Sequence, residues 1–242
     1  VAPGETLVGL HEPGRGARFW HEGRLTARID DAERPVGIQL YGHLIEPMVE
    51  AARIAQEAGP DLIDINFGCP APTVNRHQGG SVLLREPQRI EHIVQTVRAA
   101  LPEHIPLSAK MRLGYEDKAL FLDCAHAIEN GGACEVTVHA RTKIEGYEPP
   151  AHWVYVSRIR EALRIPVIAN GDVFTLEDYK AIKLESGCDS VMLGRGAVRR
   201  PDLARQIMRF EQGDATTAMA WPEIMGKSVA NRTKDLFIRE RK

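Results

Sequence analysis

Cys69 follows Asn66-Phe67-Gly68 and precedes Pro70, so it stands just past a β-rich run and not on an apolar helix stripe. A thiol placed there is a competent proton donor near neutral pH, able to protonate a carbon beside one that receives hydride. With a histidine neighbour it would act instead as a nucleophile, and His77 or His139 could supply that neighbour. The sequence leaves both readings open. Cys124, Cys134 and Cys188 read as small buried hydrophobes. Lys110 and His139 also lie at the ends of short apolar runs, where a cation and an imidazole can stabilise an anionic ring edge or a carbonyl. A lysine that merely pairs with a carboxylate is the plainer alternative. Asn170-Gly171-Asp172 and Gly194-Arg195-Gly196 follow two further runs and offer loop amides and a planar guanidinium to a phosphate.

These residues need a scaffold that brings strand ends together. Six β-rich runs are readable: Val36 to Leu40, Leu62 to Asn66, Pro106 to Met111, Glu135 to His139, Pro166 to Asn170 and Ser190 to Gly194. Each precedes a helix candidate. In Pro87 to Ala100, Ile90, Ile93, Val94 and Val97 form one apolar stripe at helical spacing, as do Leu120, Cys124, Ala127 and Ile128 further on. Thr175 with Asp178 three residues later predicts a capping box. The strands recur at roughly the 30-residue interval of a barrel that fits eight units into about 250 residues. The expected fold class is α/β, a (β/α)8 TIM barrel with a parallel sheet, and in such barrels chemistry sits at the C-terminal ends of the strands.

Six units are two short of eight. The expectation is that the first two βα units are missing and that 1–35, rich in Gly, Pro and Arg, is an irregular segment. The barrel domain then spans 36–211, and 212–242 is a linker with part of a helical region. That tail carries Lys227, Arg232, Lys234, Arg239, Arg241 and Lys242 against Asp235 and Glu240, which suits either a solvated helix face or an RNA-facing patch. The first residue is Val, which reads as a fragment or a processed product.

Composition narrows the function classes. With 43% hydrophobic and 26% charged residues in 242, the chain suits a soluble globular protein, and a cytoplasmic monomer is expected. No apolar run approaches the roughly 18 residues of a membrane span. The four cysteines lack C-x-x-C spacing and no His-x-His grouping is present, so neither disulfides nor a metal site are expected. A net charge of -2 gives no global attraction to nucleic acid, so any RNA contact must be local.

Taken in order, the strings Gln39-Leu40-Tyr41-Gly42, Asp64-Ile65-Asn66-Phe67-Gly68-Cys69-Pro70, Asn75 with Gly79-Gly80, Lys110-Met111-Arg112-Leu113-Gly114, His139-Ala140-Arg141-Thr142, Ile168-Ala169-Asn170-Gly171-Asp172 and Met192-Leu193-Gly194-Arg195-Gly196 resemble the tRNA-dihydrouridine synthase family. Gly146-Tyr147, His152-Trp153 and Ser186-Gly187-Cys188-Asp189 look most like its bacterial subgroup acting on uridine 16 of the D-loop. The resemblance implies FMN held by Gln39, Lys110, His139, Asn170, Gly171, Asp172, Gly194 and Arg195, with NADPH as reductant. It implies hydride delivery to C6 of a flipped-out uracil, a proton from Cys69 to C5, and Asn66, Arg112 and Tyr147 as uracil contacts. It departs from the family at the start, where 1–35 show no match to the flavin-covering Ala-Pro-Met loop. Competing readings are a flavin barrel acting on a small pyrimidine and a non-catalytic tRNA-binding fragment.

Overall fold

A computed structural model describes residues 7–10, 34–214 and 237–238. Six parallel strands run in sequence order, each separated from the next by helix: β2 (Gly37–Tyr41), β3 (Leu62–Phe67), β4 (Leu107–Arg112), β5 (Glu135–His139), β6 (Val167–Asn170) and β7 (Ser190–Met192). Two short antiparallel strands flank them, β1 (Leu7–Leu10) on β2 and β8 (Phe237–Ile238) on β7. Among the described residues the eight strands form an open run, without a hydrogen-bonded pair that closes it into a ring.

The flanking strands correct two expectations. Leu7–Leu10 lies in the segment read as irregular, and Phe237–Ile238 in the tail read as helical, yet both pair with the sheet. The physical reason is shared: the outer edges of β2 and β7 present rows of unpaired amides and carbonyls that a short apolar segment can satisfy. The rest of 221–242, including its basic residues, lies outside the described residues.

Helices cover the sheet. Between the strands lie α1 (Ile45–Glu57), α2 (Pro72–Arg76), α3 (Pro87–Ala100), α4 (Phe121–Asn130), α5 (Trp153–Ala162) and α6 (Leu176–Ser186), and β7 is followed by α7 (Arg195–Arg199) and α8 (Leu203–Glu211). α3 buries the stripe Ile90, Ile93, Val94 and Val97. α4 differs by one position from its reading: Leu120 is its exposed cap, and Phe121 takes the buried place against Cys124, Ala127 and Ile128. A cap residue precedes the helix and so does not share its face. α6 opens with the predicted box, Asp178 N donating to Thr175 Oγ1 and Thr175 N to Asp178 Oδ2, and ends at Gly187 with φ 66°. Cys124 and Cys188 are buried as expected, whereas Cys134 is exposed because it leads into β5 at the strand's N-terminal end.

Register aligns the chemistry-bearing residues in rows across the sheet. Gln39 lies opposite Asp64, and Asp64 opposite Ser108. Asn66 pairs with Lys110, while Arg112, His139, Asn170 and Met192 form a row one step nearer the strand ends. A period of two along each strand makes alternate residues share a face, so the rows gather polar groups at one mouth.

Candidate active site

The Cys69 loop is held from both sides. Its backbone N–H donates to Asn66 Oδ1 at 2.7 Å, beside that of Gly68 at 2.9 Å. Its carbonyl accepts Asn75 Nδ2 at 2.9 Å, Ser81 Oγ at 2.9 Å and the Ser81 amide at 3.1 Å. Gly80, with φ 64°, makes this approach possible: a Cβ there would lie 2.8 Å from the Cys69 carbonyl oxygen. The thiol-bearing residue is only half-buried, and no hydrogen bond among the described residues joins it to His77 or His139. Neither histidine is thus placed by a hydrogen bond to act as a base toward the thiol.

Gln39 and Tyr41 extend this wall. Gln39 Oε1 accepts Asn66 Nδ2 and the Tyr41 hydroxyl, each at 2.8 Å, and Gln39 Nε2 donates to Asp64 Oδ2 at 2.6 Å. Burial, helped by the neighbouring charges of Cys69 and Asp64, pushes the Tyr41 phenol up to about 12, so it stays a neutral donor.

The floor carries a cation. Lys110 Nζ donates to Asn170 Oδ1 at 3.1 Å, and Asn170 Nδ2 to the Met192 carbonyl at 2.9 Å. Thus the hydrogen-bond partner of Lys110 is an amide, with Asp64 acting on it through its field. Burial and then Arg112 lower its pKa to about 8, against the opposing pull of Asp64. His139 is driven to about 2 by burial first and by the cations Arg112, Lys110, Arg141 and Arg195 after that, so its ring is neutral at any physiological pH. Its Nδ1 is buried and has no hydrogen-bond partner among the described residues.

Tyr147 stands half-exposed above this floor, edge-on to His139 with ring centroids 6.0 Å apart. The Arg195 guanidinium lies 4.4 Å from its centroid and that of Arg112 5.2 Å. Arg112 is itself 2% exposed and donates to the carbonyls of Gly68, Thr142 and Gly146. It therefore ties the Cys69 loop to the segment carrying Tyr147. Asp172, in the left-handed region at φ 56°, accepts Arg195 Nη2 at 3.1 Å and Arg141 Nη1 at 3.0 Å. Gly171 precedes it at φ 131°, its carbonyl accepting Trp153 Nε1 at 2.9 Å, and a Cβ on Gly194 would meet nothing within 4 Å.

The predicted site side chains thus fall into three neighbouring groups, the Gln39–Asn66–Cys69 wall, the Lys110–Asn170–His139 floor and the Arg112–Tyr147–Arg195–Asp172 rim, with Gly171 and Gly194 on the rim's loops and His77 in none of them. Asp64 and Arg141 stood in the quoted strings without a role, and Ser108 and Ser81 were not singled out at all. Asp64 and Ser108 had a signal, since a polar residue at alternate positions of an apolar strand faces the same side as its flanking site residues. Arg141, fully buried, had its position after β5 as its clue. No group of three or more His, Cys, Asp or Glu among the described residues is placed to hold a metal, and no described helix is long and apolar enough to cross a membrane.

Six parallel strands with covering helices and a polar mouth at their C-terminal ends define a barrel-type α/β protein with its site on the strand ends. The sequence model of the dihydrouridine synthase (Dus) family matches residues 18–236, and the chain belongs to that family. It is 64% identical over 179 residues to the tRNA-dihydrouridine(16) synthase of Neisseria meningitidis serogroup A, covering 74% of this chain and 54% of the relative. It is 46% identical over 220 residues to that of Pseudomonas syringae pv. tomato, covering 91% and 68%. The chain thus spans about half to two thirds of the length of these relatives. Among solved structures, DHODH in complex with ferulenol from Eimeria tenella shares the fold at a TM-score of 0.52 and 14% identity, covering 79% of this chain and 57% of that one.

Proposed function

We propose that the protein containing this chain reduces a D-loop uridine of tRNA, uridine 16, to 5,6-dihydrouridine, with FMN as its cofactor and NADPH as reductant. The reading rests on one observation above the others: a thiol, Cys69, lies on a loop at the same mouth as a lysine and an imidazole whose Nδ1 has no hydrogen-bond partner among the described residues. The two named relatives are tRNA-dihydrouridine(16) synthases, which supports the choice of substrate and position.

The donor set suits a flavin. Gln39, Lys110 and His139 offer groups to its polar ring edge, the orphaned His139 Nδ1 among them. The open face of Gly194, with Arg195 and the Asn170-Gly171-Asp172 turn, suits a phosphate. Bound there, a reduced flavin supplies two-electron reduction of a carbon–carbon double bond. The protein's own part is to hold the flipped uracil and to move a proton. Cys69 Sγ gives its proton to C5 as C6 is reduced, and the thiolate left behind regains one from solvent. Tyr147, half-exposed and flanked by two guanidinium groups, is suited to contact the base, whereas Asn66 and Arg112 act through the backbone that they hold.

The test is to incubate the full-length protein with FMN, NADPH and a tRNA transcript, and to locate dihydrouridine by mass spectrometry. Product at position 16, absent when that uridine is replaced by cytidine, is expected. Reduction of free uracil without tRNA would replace this reading with the small-pyrimidine one.

Lys110 gives a pH dependence. Its ammonium form favours an anionic cofactor edge and is lost as pH rises through about 8. FMN affinity, followed by quenching of flavin fluorescence, is therefore expected to be highest below that value. It should fall on the order of tenfold across the next pH unit. Lys110→Arg, which keeps its charge, should flatten the profile. An affinity constant between pH 7 and 9.5 in the wild type would remove Lys110 from cofactor binding.

A further inference from the structure

One chain of hydrogen bonds in the wall beneath Cys69 runs in a single sense and ends on one group. The Gly68 and Cys69 amides donate to Asn66 Oδ1, Asn66 Nδ2 donates to Gln39 Oε1, and Gln39 Nε2 donates to Asp64 Oδ2. From the other side Ser108 Oγ donates to Asp64 Oδ1 at 2.6 Å. The two carboxamides in this series have nearly the same shape when turned end for end, so packing alone does not choose their orientation. A carboxylate has acceptors only. Were Gln39 turned, its oxygen would face Asp64 and its amino group would face both Asn66 Nδ2 and the Tyr41 hydroxyl. Were Asn66 turned, its amino group would face two backbone N–H donors.

We propose that Asp64 is a positioning residue whose carboxylate fixes the sense of the Gln39–Asn66 amide chain and thereby holds the Cys69 loop at the mouth. The orientation has a second result. Gln39 spends both lone pairs of Oε1, on Tyr41 and Asn66, and one N–H on Asp64. What it has left for the mouth is a single N–H, so the cofactor atom it meets must be an acceptor. Burial first, with the charge of Glu135, raises the Asp64 pKa above the usual carboxylate range, while the Ser108 and Gln39 hydrogen bonds and the field of Lys110 oppose that rise. What requires acceptors at this position is the geometry, two donors aimed at its two oxygens. The loop-holding function stands on the geometry of the chain alone, while its effect on turnover rests on the reading under Proposed function.

The experiment is done on the full-length protein and reads amide hydrogen exchange by NMR alongside dihydrouridine kinetics. In Asp64→Ala, the Gly68 and Cys69 amides are expected to exchange at least tenfold faster, with Val136 to His139 in β5 unchanged. The kcat for tRNA reduction should fall at least tenfold, at an unchanged KM for tRNA. Asp64→Asn can turn its oxygen to Gln39 and its amino group to the Ser108 hydroxyl, and should recover most of both losses. Should Asp64→Ala fail to fold, Gln39→Leu breaks the same chain one link along and must show the same faster exchange. Unchanged protection of Gly68 and Cys69 in the folded variant overturns the proposal, as does Asp64→Asn proving as damaging as Asp64→Ala. If the wild type makes no dihydrouridine at all, it is the proposed function that fails, and the exchange rates still decide the role of Asp64.

Discussion

Cys69→Ala in the full-length protein is expected to lower dihydrouridine formation by about 10²–10⁴-fold, the span of a positioned general acid, with FMN still bound. The sparing of FMN follows from the wall's construction. What fixes the loop is the backbone of Cys69, through its amide to Asn66 and its carbonyl to Asn75 and Ser81, and alanine keeps all of it. Only the proton is removed. Cys69→Ser separates the two roles a thiol can play here, since serine retains a hydroxyl proton but is a far weaker acid. Flavin reduction by NADPH in a stopped-flow experiment should be unaffected in both variants, while reoxidation by tRNA slows. Wild-type turnover in Cys69→Ala would remove the thiol from the mechanism.

Arg112→Leu is expected to destabilise the protein by about 3–5 kcal/mol, measured by denaturant midpoint. Its guanidinium is buried and serves the carbonyls of Gly68, Thr142 and Gly146, and each acceptor stranded by its removal costs about 1–3 kcal/mol. Loss of one cation from a crowded cluster offsets part of this. The same relief has its own signature. Arg112 is the second cause, after burial, of the low pKa of Lys110 and of His139, so both values should rise in the variant. Arg112→Lys keeps a charge without the planar fork and should recover the pKa values better than the stability. A midpoint shift below about 1 kcal/mol would mean that the three carbonyls find other donors.

How much of this was legible in the sequence depends on the range over which each signal acts. Strands with apolar runs, and the Thr175 capping box, depend on neighbours within a few residues and were read to within about two positions. Leu120 and Phe121 exchanged roles because a cap and a first helical turn differ by one residue. Leu7–Leu10 and Phe237–Ile238 carry too short a pattern to announce a strand, and the sheet edges to which they pair are distant in sequence. The mouth was found because barrels put chemistry at strand ends. Its wiring was not: that Asn66 spends its side chain on the loop of Cys69, and that Arg141 is completely buried on Asp172, are facts of register and packing. Asp64 looked like one more polar residue in a motif until its partners on β2 and β4 were in view.

The neutral imidazole at the centre of the mouth has a kinetic consequence. His139 is uncharged because it is buried and because Arg112, Lys110, Arg141 and Arg195 crowd it, and that crowd sits on a chain whose formal net charge is -2. If the ligand is the polynucleotide proposed above, local cations on a weakly acidic chain should attract it at the mouth more than elsewhere on the described surface. The field acts only within a screening distance of about 8 Å at physiological salt. On that proposal, raising ionic strength is expected to slow association with tRNA far more than it speeds dissociation, as salt-dependent stopped-flow binding would show.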